Sequence, residues 1–263
     1  MAAGRFGVVG LIMYAISKWI NKESFNIEVL KYGFISGTAL FFIGNGAVIL
    51  SEKYLPSGLV SVLAALVPFW MLLFDSKMGS GRFKNVMTLA GLGLGFGGVI
   101  LLFIDKLSAA RLNTASLWAY GLMILGTWAW SYGTLYSKYH PVHGSTYLKA
   151  SAQTLAAGLL FILVSWISGE LTSFHFGQVS HTSWLALWYL ILFGSMIGYF
   201  SYLWLIGHVS ASAISTYAFV NPLVAVMLGI LLAGEKFELK EVFALVFIIG
   251  GLVVLYFSKR NPK

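Results

Sequence analysis

There is no cysteine in the 263 residues, so a disulfide framework, a thiolate metal site and a thiol nucleophile are excluded, and the redox compartment leaves no trace. Charge is scarce as well. Asp, Glu, Lys and Arg make up 10% of the chain, nine of them acidic, against roughly 25% in a soluble domain. Glu52, Asp75, Asp105, Glu170 and Glu235 fall near the ends of apolar runs, as does His208, so a carboxylate relay buried in a membrane is not expected. His140, His143, His175, His181 and His208 lie in or beside connections and do not converge. Neither HExxH nor GxSxG occurs. The run Gly93-Leu94-Gly95-Phe96-Gly97-Gly98 satisfies GxGxxG, but it lies inside an apolar segment with no strand before it, so the dinucleotide reading lacks its context. No catalytic set, cofactor site or metal site is legible, and the chain does not read as an enzyme.

What is present is apolar. Hydrophobic residues are 59% of the chain and mean hydropathy is +0.84, which places it among all-α, multi-pass membrane proteins, with the lipid bilayer as its surroundings. At about 20 residues per span, nine candidates appear, near 4–20, 32–51, 56–75, 85–104, 115–137, 147–168, 183–206, 212–233 and 241–258. Charges collect in the short connections. The formal charge of +8 is then explained by basic cytoplasmic loops and not by nucleic acid. With the basic tail Lys259-Arg260-Asn261-Pro262-Lys263 inside, the 17 Lys and Arg divide 11 inside to 6 outside, which predicts a cytoplasmic C-terminus in the cell (inner) membrane.

An internal repeat organises these spans. Pro68 and Pro222 are 222 − 68 = 154 residues apart, and the same offset matches Ser61 with Ser215, Ala64 with Ala218, Gly97 with Gly251, Val99 with Val253 and Gly44 with Gly198. Residues 1–107 and 112–260 are the expected repeats. The second holds five spans and the first four, because the counterpart of Ser116–Lys138 falls before residue 1. The offset therefore predicts a further helix ahead of Met1 and a frame of ten spans in two five-helix units. Five is odd, so the second unit enters the membrane inverted, an architecture of secondary transporters.

The run Phe219-Val220-Asn221-Pro222-Leu223-Val224-Ala225-Val226, followed by Gly234-Glu235 and the glycine-bearing helix ending Ile249-Gly250-Gly251-Leu252-Val253-Val254-Leu255, resembles the second repeat of EamA-type carriers of the drug/metabolite transporter superfamily. Trp128-Ala129 resembles that family's sixth helix and Ala3-Gly4-Arg5-Phe6 the beginning of its second. The first repeat departs from the pattern with Gly79-Ser80-Gly81 where Gly-Glu would stand. The resemblance implies ten helices, both termini in the cytoplasm, and export of amino acids or other small metabolites.

Several residues are candidates for that work. Pro68 and Pro222 break the helical hydrogen-bond ladder at matching positions and serve as hinges; a static kink is the bland alternative. Asn221 and Asn45 bring amides into apolar runs, as does Gln153, and with Tyr217 they are candidate substrate contacts. Most intramembrane polar groups only join helices. Trp128 and Tyr132 recur with Tyr136 every four residues, giving one aromatic helix face that suits an apolar, aromatic or ammonium-bearing solute. The same face also reads as packing. Glycine spacings 91/95 and 93/97 offer a small-residue face for close helix approach. Arg5, one to two turns into its span, either meets a substrate carboxylate or snorkels outward, and snorkelling is the expectation. Together these readings predict a secondary transporter exporting a small neutral or zwitterionic metabolite, with a homodimer left open. A non-transporting membrane scaffold or partner subunit is the alternative.

Overall fold

The computed structural model describes residues 1–75, 85–102, 104, 114–174, 177, 179–221, 224 and 239–258. Among them the secondary structure is helical, without strands, because in a lipid-like setting a helix satisfies its own backbone groups. In chain order the helices are α1 Ala2–Ile16, α2 Ile27–Gly37, α3 Gly46–Ser51, α4 Ser57–Ala64, α5 Val67–Asp75, α6 Val86–Leu102, α7 Thr114–Tyr139, α8 Thr146–Ile167, α9 Glu170–Ser173, α10 His181–Tyr189, α11 Gly198–His208, α12 Ala211–Ser215 and α13 Leu239–Ser258. Wider π turns extend α1 over Ser17–Asn21, join α2 to α3 over Thr38–Asn45, and join α10 to α11 over Leu190–Ile197. Each predicted span falls on helix, the one near 212–233 as far as it is described. Ile27–Ser51, Thr146–Ile167 and His181–His208 are long and apolar enough to cross a membrane, whereas Leu59–Asp75, Val86–Leu102 and Val242–Leu255 are apolar but shorter.

The helix starts are set by side chains that accept otherwise orphaned backbone N–H groups. Asn26 accepts from Val29 N at 2.8 Å ahead of α2, and Ser180 accepts from Ser183 N at 3.2 Å ahead of α10. These caps are 180 − 26 = 154 residues apart, as are the residues that receive them. Pro56 and Ser210, which precede α4 and α12, keep the same offset. Ser145 caps α8 through Leu148 N, and the Glu23 carboxylate reinforces that end by accepting from Ser145 N at 2.9 Å and from Ser17 Oγ at 2.9 Å. An anion at a helix N-terminus also complements the partial positive charge there.

The chain forms two compact units, Met1–Gly46 with Tyr132–Val209 and Ala47–Ser131 with Ser210–Lys263. Neither unit follows the sequence halves, since each takes helices from both. In the first, α8 is packed by α1 and α2. Gly158 allows the first of these contacts, for a Cβ there would lie 2.9 Å from Gly7 N. Ser151 Oγ donates to Gly10 O at 2.8 Å along the same seam. Phe6, fully buried, stacks on Phe161 at 5.8 Å and leans on Phe41 at 4.8 Å.

In the second unit α6 lies against α13. A Cβ on Gly251 would meet Gly95 N at 2.6 Å, so the backbones touch where only glycine fits. Gly91, Gly95 and Gly98 line this contact, whereas Gly93 and Gly97 face open space; of the two predicted small-residue spacings, 91/95 is the one used. Buried Val99, Phe219, Ile248 and Leu255 complete the apolar core. The offset carries α6 onto 240–256, within α13, and α1 onto 156–170, largely within α8. Each unit thus packs a helix against its own counterpart.

Candidate functional site

In the first unit the polar side chains converge on Gln153. Its carboxamide is fully buried, donating from Nε2 to Ser36 Oγ at 2.8 Å and to Ser137 Oγ at 3.0 Å, and accepting on Oε1 from the Tyr199 hydroxyl at 2.6 Å. The Tyr32 hydroxyl neighbours Ser137 and Gln153. Four helices, α2, α7, α8 and α11, therefore meet through one uncharged cluster. Both amide hydrogens are used. Nearby, Thr134 Oγ1 and the Tyr202 hydroxyl share a 2.7 Å hydrogen bond.

Tyr132 belongs to the same neighbourhood. Its ring lies 6.2 Å from Tyr136, which lies 6.2 Å from Tyr32 and stacks on His140 at 4.2 Å. Asn45 is half-buried at the end of the π turn Thr38–Asn45. Sequence reading did not single out Tyr32, Ser36, Ser137 or Tyr199. One signal for Tyr199 was available, because 45 + 154 = 199 makes it the counterpart of Asn45. Arg5 corrects an expectation: its side chain does not run outward but turns onto α1's neighbour, with Nε donating to Ser195 Oγ at 2.7 Å and the guanidinium 5.2 Å from the Phe6 ring centre.

The remaining candidates lie in the second unit. Trp128 is 41% exposed and meets Phe74 edge-on at 5.6 Å. Tyr217 is half-buried and Asn221 exposed, both on the helical stretch 217–221. Pro68 is buried just after a break between α4 and α5. There the ladder begins to tighten, with Ala65 N shared between Ser61 O and Val62 O, both at 3.2 Å, and Leu66 N reaching Leu63 O at 3.0 Å. Beside the break Ser131 of α7 shares its hydroxyl hydrogen between Thr127 O of its own helix at 2.8 Å and Val67 O at 3.3 Å. After α12 the same tightening recurs: Phe219 N reaches Thr216 O at 3.1 Å. Since 65 + 154 = 219 and 62 + 154 = 216, the two short bonds are counterparts, each three residues ahead of a proline. Pro222 itself lies outside the described residues, as do Gly79-Ser80-Gly81 and Gly234-Glu235.

Comparison with known proteins places this geometry. The EamA-like transporter family matches residues 117–257. The uncharacterized inner membrane transporter YedA of Escherichia coli (strain K12) is 31% identical over 260 residues, covering 98% of this chain and 81% of its own length. The uncharacterized transporter YvbV of Bacillus subtilis (strain 168) is 27% identical over 218 residues, 83% of this chain and 69% of its own, and protein PecM of Dickeya dadantii (strain 3937) is 28% identical over 215 residues, 79% and 68%. A solved crystal structure of a protein superposes with a TM-score of 0.79 at 17% identity, over 98% of this chain and 87% of that one, and so shares the fold. The helical frame and the extent of these matches lead to one conclusion: the chain belongs to the EamA-like transporter family.

Proposed function

We propose that the chain is a secondary carrier that exports a small neutral or zwitterionic metabolite by alternating access, its two inverted repeats, 1–107 and 112–260, moving about the breaks ahead of Pro68 and Pro222. The observation that carries this reading is the pair of three-residue hydrogen bonds at Ala65, where it is shared with Ser61 O, and at Phe219, one offset apart. A helix whose ladder is already interrupted can bend there without rupturing regular α-helical bonds, and its freed carbonyls face a cavity at little cost. Within the first unit Gln153 with its hydroxyl neighbours, Asn45 and Tyr132 offer uncharged polar and aromatic contacts suited to such a solute, and within the second Trp128, Tyr217 and Asn221 are separate candidates of the same chemistry.

Reconstitution tests the hinge. Pro68→Ala and Pro222→Ala are expected to lower flux per folded molecule in proteoliposomes by about tenfold or more while leaving most of the protein folded; a tenfold loss corresponds to ~1.4 kcal/mol on the barrier. Unchanged flux in both variants refutes the hinge. Orientation is tested on the same preparation, because a chain without cysteine accepts single engineered thiols as reporters. A thiol at Lys263, in the basic tail, should react with a membrane-impermeant reagent only from the cytoplasmic side, and reaction only from the opposite side overturns the orientation.

A further inference from the structure

Arg5 is a cation held within the length of a span. Its Nε donates to Ser195 Oγ at 2.7 Å, and Ser195 stands midway along the helix His181–His208, with about 20 Å of helix on either side at 1.5 Å per residue. Among the described residues no carboxylate pairs with the guanidinium, and its Nη hydrogens meet no protein acceptor. A Cβ on Gly194 would lie 3.2 Å from Nη2, so the bare glycine leaves room for the guanidinium that a side chain there would crowd. An ionised side chain inside a membrane protein is expensive and is retained for a partner or a task.

The fold itself does not require this group. Under the 154-residue offset Arg5 corresponds to Leu159, Gly194 to Leu40 and Ser195 to Phe41. The equivalent place in the frame is therefore built from three apolar side chains. Arg5, Gly194 and Ser195 depart from the duplication together, and what they add is a guanidinium with one N–H fixed and a planar pair of Nη groups left open. That geometry matches a carboxylate, which accepts two parallel N–H bonds.

We propose that Arg5, oriented by Ser195, receives the carboxylate of the transported solute. The proposal rests on the carrier reading and narrows its substrate class: the solute bears a free carboxylate, as a zwitterionic amino acid does, and a neutral amide or an amine of the same shape is a poor substitute. Ser195 is a positioning residue, since it acts through the arginine.

The test uses the full chain in detergent, thermally unfolded with the standard amino acids and short carboxylic acids, each paired with its amide, and with oleate as a carboxylate supplied by the bilayer. At least one water-soluble acid should raise the Tm of the wild type while its amide does not. Arg5→Gln should abolish that shift, and Arg5→Lys, which keeps the charge but not the fork, should weaken apparent binding by about tenfold or more. Ser195→Ala should weaken it less. If Arg5→Gln does not fold, the lysine and Ser195→Ala variants carry the comparison. Stabilisation by no acid, by acid and amide alike, by oleate alone, or equally in Arg5→Lys overturns the proposal. Flux separates it from the carrier reading: acid binding that depends on Arg5 without any flux sinks the carrier and keeps the site, whereas flux of an acid unchanged in Arg5→Gln keeps the carrier and sinks the site.

Discussion

Gln153 shows how a single residue can be legible in the sequence while its role is not. A carboxamide within an apolar run must be hydrogen-bonded, and that much follows from composition. Its partners are 117, 16 and 46 residues away, and no periodicity points to a pairing fixed only by the meeting of four helices. Gln153→Leu leaves the hydroxyls of Ser36, Ser137 and Tyr199 without this partner, and at ~0.6 kcal/mol or somewhat more per intramembrane hydrogen bond should cost about 2 kcal/mol of stability, read by unfolding in detergent. Loss of flux beyond that loss of folded protein would add a contact with the solute. The aromatic face is tested by contrast: Trp128→Ala and Tyr132→Ala should each weaken binding of a stabilising solute several-fold, whereas Trp184→Ala, near the start of α10, should not. Equal behaviour of all three would make the face packing. Outside the spans, Glu23 has a lowered pKa; burial pushes it upward, but hydrogen bonds from the Ser145 and Ser17 hydroxyls and the Ser145 amide, with the charge of Lys149, outweigh it. A carboxyl lowered on folding stabilises above its unfolded value and loses that contribution as pH falls through the folded one. Wild-type Tm should therefore fall on acidification below about pH 4.5 more steeply than that of Glu23→Gln.

The helices were legible as elements, because apolar runs of about 20 residues bounded by charges have few other solutions. Their internal irregularities were only partly so. The prolines announce a break, and the structure places it at the tightened turns just upstream. The π turns at 38–45 and 190–197 carry no comparable mark, since an apolar run reads the same whichever turn it adopts. Glycine spacing gave two candidate faces, and geometry selects between them: Gly91, Gly95 and Gly98 follow the four- and three-residue steps of one face, while Gly93 lies about 200° around the axis from Gly91. Gly251→Val should push α6 from α13 and cost about 1–3 kcal/mol, whereas Gly97→Ala, with nothing within 4 Å of its added carbon, should be near-neutral. Thermal unfolding of the two variants in the same detergent checks both, and equal losses would show that the crossing is not where stability is held.

At the scale of the whole molecule, the repeats expected from the 154-residue offset and the compact units seen in space divide the chain differently. Each unit draws on both halves, because a helix of the first half takes its counterpart in the second as its packing partner. Fragments ending and beginning between the two halves should accordingly accumulate when co-expressed and be degraded when expressed singly, a difference visible in steady-state membrane levels; a half that persists alone would show that it does not depend on the other. The pairing of α1 with α8 and of α6 with α13 also sets a schedule. At about 5–20 residues per second of synthesis, a 154-residue separation keeps each early helix in the membrane for about 8–30 s before its partner emerges. During that interval Gly91 and Gly95 are turned to lipid or to a helper protein. The vulnerable stage in the life of this chain is therefore its birth, and slowing translation across residues 140–240 should deplete it more than an equal delay near the N-terminus.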